Sequence, residues 1–590
     1  MCGIFLVFSK KGDPLPEERC KKASYELYNR GPDFFKFSLL RNKTLYISNT
    51  ILSITGTPEK DHRIHQSTNK NYSLSYNGEI YNYLDLCKQY LPHIKAGEKI
   101  TDTKVLLNLH EKLNSNSIPK LLNGMFAYVV YDNKKDDLII ANDVQGEKNL
   151  FFFENSEFLI ISSTITSILK FNKIYDLDES TIKDYFTTRH FMSHKKTCFK
   201  NINLFSTGSI HRYSLNNKRM VNQKYDDPLN WISEKKYRKF EKTNENEIID
   251  LLDYKLNQQI KLMIPKVKFG CIVSGGIDSS LQAAILSRHK EPHKNLVIDH
   301  GSKDTIMQHI DKFTPYFKKK ITKIKLDKNR YKELSDECYK IIGSPLHTHD
   351  LPGRLEISKY FRKNGCKVFF SADGCDELLG GQQLYYNIFK KDFNFKINQS
   401  PYSTTIKSRY VSPSEEYNFF LDSSWHSIMD SYKFINSKKE KNIQSSLFLD
   451  YFIQSVLVGN RSNDLISCNS SVEPRNVFIS KDIIKLILNL PLKYKINFKE
   501  KNINFRQKYI LKKVFSKYFD KKLVFTKQGF SGFPNSLSKN YKFLLTKNII
   551  SSKINKINKK NNYYDLKNKK RDLNWKLINS ENFLLNYFNK

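Results

Sequence analysis

The sequence predicts two α/β domains in tandem: an α+β sheet sandwich flanked by helices, then a doubly wound parallel sheet with added helices. At 590 residues the chain is too long for a single hydrophobic core. To about Tyr213 it alternates short apolar strands with polar turns; from about Glu247 the order becomes strand, loop, helix, strand. An apolar fraction of 39%, with 13% aromatic residues, is enough to fill packed cores.

In chain order, residues 1–8 are apolar at once and read as a strand inside a sheet. Further strands are predicted at 44–47, 72–76, 126–131, 137–141 and 158–162, with helical spacing over 17–28, 83–89 and 104–112. Residues 214–245 are polar and weakly periodic and read as a linker, which sets the domains at 1–213 and 246–590. In the second domain a helix over 247–263 precedes strands at 269–273, 296–298, 321–326 and 367–370. Stretches such as 483–490 and 509–518 have helical spacing, and the Lys- and Asn-rich basic tail over 547–576 reads as loosely ordered or as a solvated helix.

Composition narrows the function classes. The nine cysteines are scattered without a CxxC pair, which suits neither a disulfide framework nor a zinc site and points to a reducing, cytoplasmic compartment. No run of about 18 apolar residues occurs, so no membrane span is expected. The net charge of +38 is mostly lysine spread along the whole length, without an arginine-rich strip interleaved with aromatics, and no specific nucleic-acid partner is expected.

The segment Val273-Ser274-Gly275-Gly276-Ile277-Asp278-Ser279-Ser280 joins an apolar strand to a helix-forming run. Such a small-residue turn exposes backbone N–H groups at the positive end of a helix, the arrangement that binds phosphate. The Lys-Ser/Thr ending of a γ-phosphate cradle is missing, and Asp278 stands there instead, suited to a hydrated Mg²⁺ shared with phosphates. A second cluster, Ser371-Ala372-Asp373-Gly374-Cys375-Asp376-Glu377, follows the strand at 367–370. Three carboxylates in five residues need a cation or a hydrogen-bond network, so Asp278 and Asp376 are candidates to share Mg²⁺ with a pyrophosphate.

In the first half, Cys2 follows the initiator methionine. Removal of Met1 places a thiol and a free α-amine on one residue, and the amine can then serve as base for its own nucleophile. Cys2 is accompanied by Arg30-Gly31-Pro32-Asp33, Tyr76-Asn77-Gly78-Glu79, Thr101-Asp102-Thr103 and Gly124-Met125-Phe126-Ala127. With these segments the first half resembles a class II glutamine amidotransferase, and the entire chain is similar to the glutamine-hydrolysing asparagine synthetases. The resemblance implies an Ntn-type αββα sandwich followed by an adenine-nucleotide α-hydrolase-like sheet.

It also implies roles. Cys2 attacks the glutamine side-chain amide, Asn77 and Gly78 form the oxyanion hole, and Asp102, with Glu79, binds the glutamine. Ser274, Gly275, Gly276, Asp278 and Ser279 hold the phosphates of ATP, Ile272, Ser371 and Ala372 face its adenosine, and Lys527 neutralises phosphate charge. Asp373 assists formation and aminolysis of an acyl-adenylate. His300 aligns loosely with a further nucleotide contact, and Asp464 with the stretch from Glu473 to Phe478 reads as structural support, although Val477 and Ser480 depart from the family. The implied substrates are Mg-ATP, glutamine and a carboxylate, aspartate first and a sugar uronate or specialised metabolite second; no tightly bound cofactor is expected, and a homodimer is left open.

Ile51 is the main departure, because the family usually carries there an arginine that grips the glutamine carboxylate. Either Arg63 or Arg41 reaches in, or free ammonia becomes the more important nitrogen source. Asn142 likewise replaces a family arginine. Near the expected acceptor pocket, His347 and His349 read as solvated loop residues. Two rival classes remain at this level: an RNA-modifying ATP pyrophosphatase, and a catalytically weakened homologue acting as a binding protein.

Overall fold

In the computed structural model the described residues are 2–56, 61–92, 94, 100–172, 176–188, 195–299, 310–381, 415–524 and 571–588; Lys527 and His300 lie outside them. The first half is a sandwich of two antiparallel sheets. One contains β1 (Cys2–Ser9), β2 (Phe34–Leu40) and β3 (Leu45–Ile51), with β8 (Phe151–Glu154), β9 (Phe158–Ser162) and β10 (Ile202–Leu204), in the order β10-β8-β9-β1-β3-β2. The other contains β4 (His65–Gln66), β5 (Tyr72–Ile80), β6 (Gly124–Asp132) and β7 (Asp137–Asn142), with β11 (Ser209–Ser214) and β12 (Arg219–Lys224), in the order β12-β11-β7-β6-β5-β4.

The alternation of β1 explains its unbroken apolar sequence. Ile4, Leu6 and Phe8 meet Ala127, Val129 and Ile140 of the facing sheet, whereas Phe5 and Val7 turn outwards and are buried beneath helical residues such as Ala23 and Ile168. Likewise Leu74 and Tyr76 of β5 face Val105 and Leu106 of α1 (Asp102–Lys112). The four layers are therefore helix, sheet, sheet, helix, as expected.

The second half is built on a parallel sheet of β13 (Phe269–Ile272), β14 (Lys294–Asp299), β15 (Ile321–Lys325), β16 (Val368–Ser371) and β17 (Glu473–Asn476), ordered β15-β14-β13-β16-β17. From β13 the next strand lies on one side and β16 on the other, so the C-terminal ends of β13 and β16 flank a topological switch point. The helices that carry site residues are α2 (Ile277–His289), α3 (Leu351–Lys363), α4 (Asn460–Cys468) and α5 (Tyr509–Phe515).

The predicted linker and the end of the basic tail are more ordered than their polarity predicts, and residues 547–570 of that tail lie outside the described residues. Residues 219–224, read as linker, pair along β11 and lengthen the second sheet. At the end of the basic tail the chain forms α6 (Arg571–Tyr587), held by buried Trp575, Phe583 and Leu584 and by a Tyr339 hydroxyl that donates to Asn579 Oδ1 at 2.7 Å. A few large apolar residues at helical spacing give this helix its buried face.

Candidate functional site

Among the cavities of the described residues, two gather the predicted site residues, one in each half. The first, of 530 Å³, is lined by Cys2, Ile51, Gly78, Glu79 and Asp102 among others. Cys2 opens β1 directly opposite Ile51. Its side chain shares the inward face of Ile4, while Asn77, of opposite parity to Tyr76, points inward from the facing sheet. The Cys2 N–H donates to Asn77 Oδ1 at 3.0 Å, and Asn77 Nδ2 is buried without a hydrogen-bond partner. Asn77-Gly78 lies within strand β5 opposite Ala127 and Phe126, and so is no hairpin turn. A Cβ at Gly78 would stand 2.2 Å from the Met125 carbonyl oxygen, so only glycine fits there.

Burial pushes the Cys2 thiol above its usual value, with the positive amino terminus and the Leu52 N–H acting against it. Asp102 begins α1, where it accepts from the Tyr76 hydroxyl at 2.9 Å and from the Thr103 N–H at 2.9 Å; burial raises its carboxyl. Glu79 is raised to about 7 by burial, against the pull of Arg475, accepts from the Thr55 hydroxyl at 3.0 Å and forms an ion pair with Arg475 at 3.2 Å. Arg41 is absent from this cavity and pairs with Asp136 at 2.7 Å, whereas Arg63 lines it but pairs with Asp61 at 2.7 Å.

The second cavity, of 470 Å³, lies at the switch point and is lined by Ile272, Ser274, Gly276, Asp278, Ser279, Ser371, Ala372, Asp373 and Asp376. Gly275 takes a φ of +75° to turn the loop. Ser279 braces that loop: its Oγ accepts from the Ser274 N–H at 3.1 Å and lies 2.9 Å from Ser274 Oγ. Lys508, at the start of α5, places its ammonium between Asp278 and Asp376, 2.5 Å from the latter. Burial alone would lower this lysine, but the two carboxylates more than offset it and hold it protonated. Its backbone has a φ of +49°, a strained setting for a side chain with a Cβ. Gly381 makes room for the pair, since a Cβ there would fall 2.0 Å from both Asp376 Oδ1 and Lys508 Cε.

Asp373 is gripped by Arg354 of α3 through two bonds of 3.0 Å, and also accepts from Ser371 at 2.9 Å and from Asn463 at 3.1 Å. His347 is buried in this cavity wall, not solvated, and burial lowers it to about 4. His349 packs on Trp575 of α6 at 3.9 Å.

Buried charges join the two cavities. Asp464 on α4 accepts from Arg30 at 2.7 Å and from Lys148 at 2.8 Å, and Arg30 also donates to the Cys2 carbonyl at 3.2 Å. On the same helix Asn463 reaches Asp373, so one turn of α4 touches both sites. Arg475 pairs with Glu473 at 2.9 Å and with Glu79 across the boundary. The departure at Asn142 leaves a buried amide with neither polar atom bonded, beside Asp143, which accepts from the N–H groups of Glu147 and Lys148.

The predicted residues thus fall into two sets, each gathered around one cavity, with Lys527 outside the described residues. Sequence reasoning missed Lys508 and Arg354, and took the buried His347 for a solvated residue. The signal for Lys508 was weak: one lysine before a helix in a chain with 98 Lys and Arg.

Residues 1–226 match the family model of a glutamine amidotransferase domain and residues 251–573 that of asparagine synthase. A Methanocaldococcus jannaschii protein that bears an asparagine synthetase name is 24% identical over 67% of this chain and 78% of its own. The asparagine synthetase 3 of Bacillus subtilis is 23% identical over 78% of this chain and 75% of its own. For the Mus musculus asparagine synthetase the figures are 26%, 66% and 67%.

Proposed function

Because the chain belongs to the asparagine synthase family, we propose that it makes an amide from a carboxylate, with ammonia drawn from glutamine and with ATP split into AMP and pyrophosphate. Aspartate is the acceptor we propose, with the names of the relatives in support. The observation that carries the reading is Asn77: one end of its amide orients Cys2, and the other is a buried donor without a partner.

In the first cavity the Cys2 sulfur bonds to the amide carbon of glutamine. The oxyanion takes its hydrogen bonds from Asn77 Nδ2 and the Gly78 N–H, and collapse expels ammonia. Water then releases glutamate from the thioester. The raised thiol calls for a base, which the α-amine of Cys2 supplies once Met1 is removed. Asp102 takes the ammonium of the bound glutamine.

In the second cavity the acceptor carboxylate attacks the α-phosphorus of ATP and pyrophosphate leaves. The loop from Ser274 to Ser279 and Lys508 bind the departing phosphates. Mg²⁺ arrives with the triphosphate as part of the substrate; Asp278, whose Oδ1 has no bonding partner, and Asp376 are the carboxylates that would hold it. Ammonia then attacks the mixed anhydride and displaces AMP. Asp373, oriented by Arg354, stands to take the proton that ammonia sheds.

Pyrophosphate release measured over a panel of carboxylates, with glutamine or ammonium as nitrogen source, tests this. Aspartate is expected to support stoichiometric AMP and pyrophosphate with either source. No release with aspartate, but release with a sugar uronate, overturns the choice of acceptor.

A further inference from the structure

We propose that Lys36 supplies the positive charge that grips the α-carboxylate of glutamine, a role that Ile51 cannot fill. This rests on the glutaminase reading of the Cys2 cavity. The pairing of the strands carries it. Ile51 of β3 lies opposite both Cys2 of β1 and Phe34 of β2; one step along, Asn49 lies opposite both Ile4 and Lys36. Directly opposed residues of an antiparallel sheet project to the same face. Lys36, Asn49, Ile51 and Cys2 therefore share one face. Lys36 is displaced from the Phe34–Ile51 pair by two residues, or about 7 Å along the strand, a span that a lysine stem covers.

Lys36 is buried and lines the same cavity as Cys2, Ile51 and Asp102. Its ammonium donates to two backbone carbonyls, of Asp61 and of Arg63, the latter at 3.4 Å, and these fix where the charge stands. The other candidates fit less well. Arg41 lies outside the cavity, and Arg63 has a side chain 75% exposed and already paired with Asp61. With Asp102 for the ammonium and Lys36 for the carboxylate, each end of a zwitterionic amino acid meets an opposite charge. A lysine offers a point charge where an arginine would offer a planar fork, so the grip is less directional.

Steady-state glutamate release from glutamine in the full-length enzyme tests the assignment. Lys36→Met is expected to raise KM for glutamine roughly tenfold to a hundredfold, the cost of one charge-assisted hydrogen bond, while kcat changes less than about threefold. Lys36→Arg should retain most of the affinity. Adding Ile51→Arg to Lys36→Met should return KM towards the starting value, which separates a lost charge from a damaged fold. An unchanged KM in Lys36→Met, failure of Ile51→Arg to restore a raised KM, or the expected rise appearing in Arg63→Ala instead, overturns the assignment. Glutamine hydrolysis that survives Cys2→Ala, or is absent from the wild type, overturns the glutaminase reading itself and this assignment with it.

Discussion

The two cavities handle charge in opposite ways. Around the phosphate loop the cations are already matched: Lys508 sits between Asp278 and Asp376, and Arg354 holds Asp373 with two bonds. Around Cys2 the side chains are held ready: Asn77 Nδ2 is buried with no partner, and burial raises both Glu79 and Asp102. The difference follows from the ligands proposed for each. A triphosphate with Mg²⁺ brings several charges of both signs, so carboxylates and a lysine that neutralise one another in its absence avoid uncompensated buried charge. Glutamine presents a neutral amide at the reacting end, where a waiting donor costs less and serves the oxyanion as it forms.

The largest expected effect is on the link between the cavities. Asp464→Asn leaves Arg30 and Lys148 buried without their anion and should destabilise the protein by about 3–5 kcal/mol, read as a lower denaturant midpoint at unchanged slope. A loss under about 1 kcal/mol would mean that water, not burial, surrounds the triad.

Lys508→Met should next break the second cavity alone, lowering ammonium-driven pyrophosphate release by up to about a thousandfold while glutamine hydrolysis persists. Equal loss of both activities would show that the cavities do not divide the chemistry. Asn77→Ala should do the reverse, costing about 10²–10³ in glutamine-dependent kcat, or ~3 kcal/mol, and sparing the ammonium reaction.

The smallest effect is one of pH. Arg30 and Lys148 hold Asp464 down to about 2 against the opposing cost of burial, from an ordinary value of 3.8. A depressed carboxyl contributes stability that is present above the unfolded value and is lost as pH falls through the folded one, here from about 4 towards 2, worth about 2 kcal/mol. Acid unfolding followed by circular dichroism should therefore be less steep in Asp464→Asn than in the wild type over that window.

Local patterns made much of this legible. The turn from Ser274 to Ser279, the acidic cluster from Asp373 and the apolar start at Cys2 each depend on neighbours in sequence, and each falls on the strand end that its pattern predicts. What escaped is non-local. Arg30 and Asp464 are 434 residues apart, and Lys508 meets Asp278 across 230. Neither pairing leaves a mark on the residues beside it. His347, set among Thr348, His349 and Asp350, has polar neighbours that suggest solvent, yet the fold buries it. The last residues of the tail, from Arg571, escaped for a related reason: lysines dominate the composition before them, while Trp575 and Phe583 decide the packing of α6.

The most direct test of the central claim, that Cys2 feeds ammonia to chemistry at the phosphate loop, compares the wild type with Cys2→Ala under saturating ATP and acceptor. Products are counted with glutamine as nitrogen donor and again with ammonium. The account predicts that Cys2→Ala forms no amide from glutamine but forms amide, AMP and pyrophosphate in equal amounts from ammonium. Amide made from glutamine by Cys2→Ala, or ADP and phosphate in place of AMP and pyrophosphate, would contradict it.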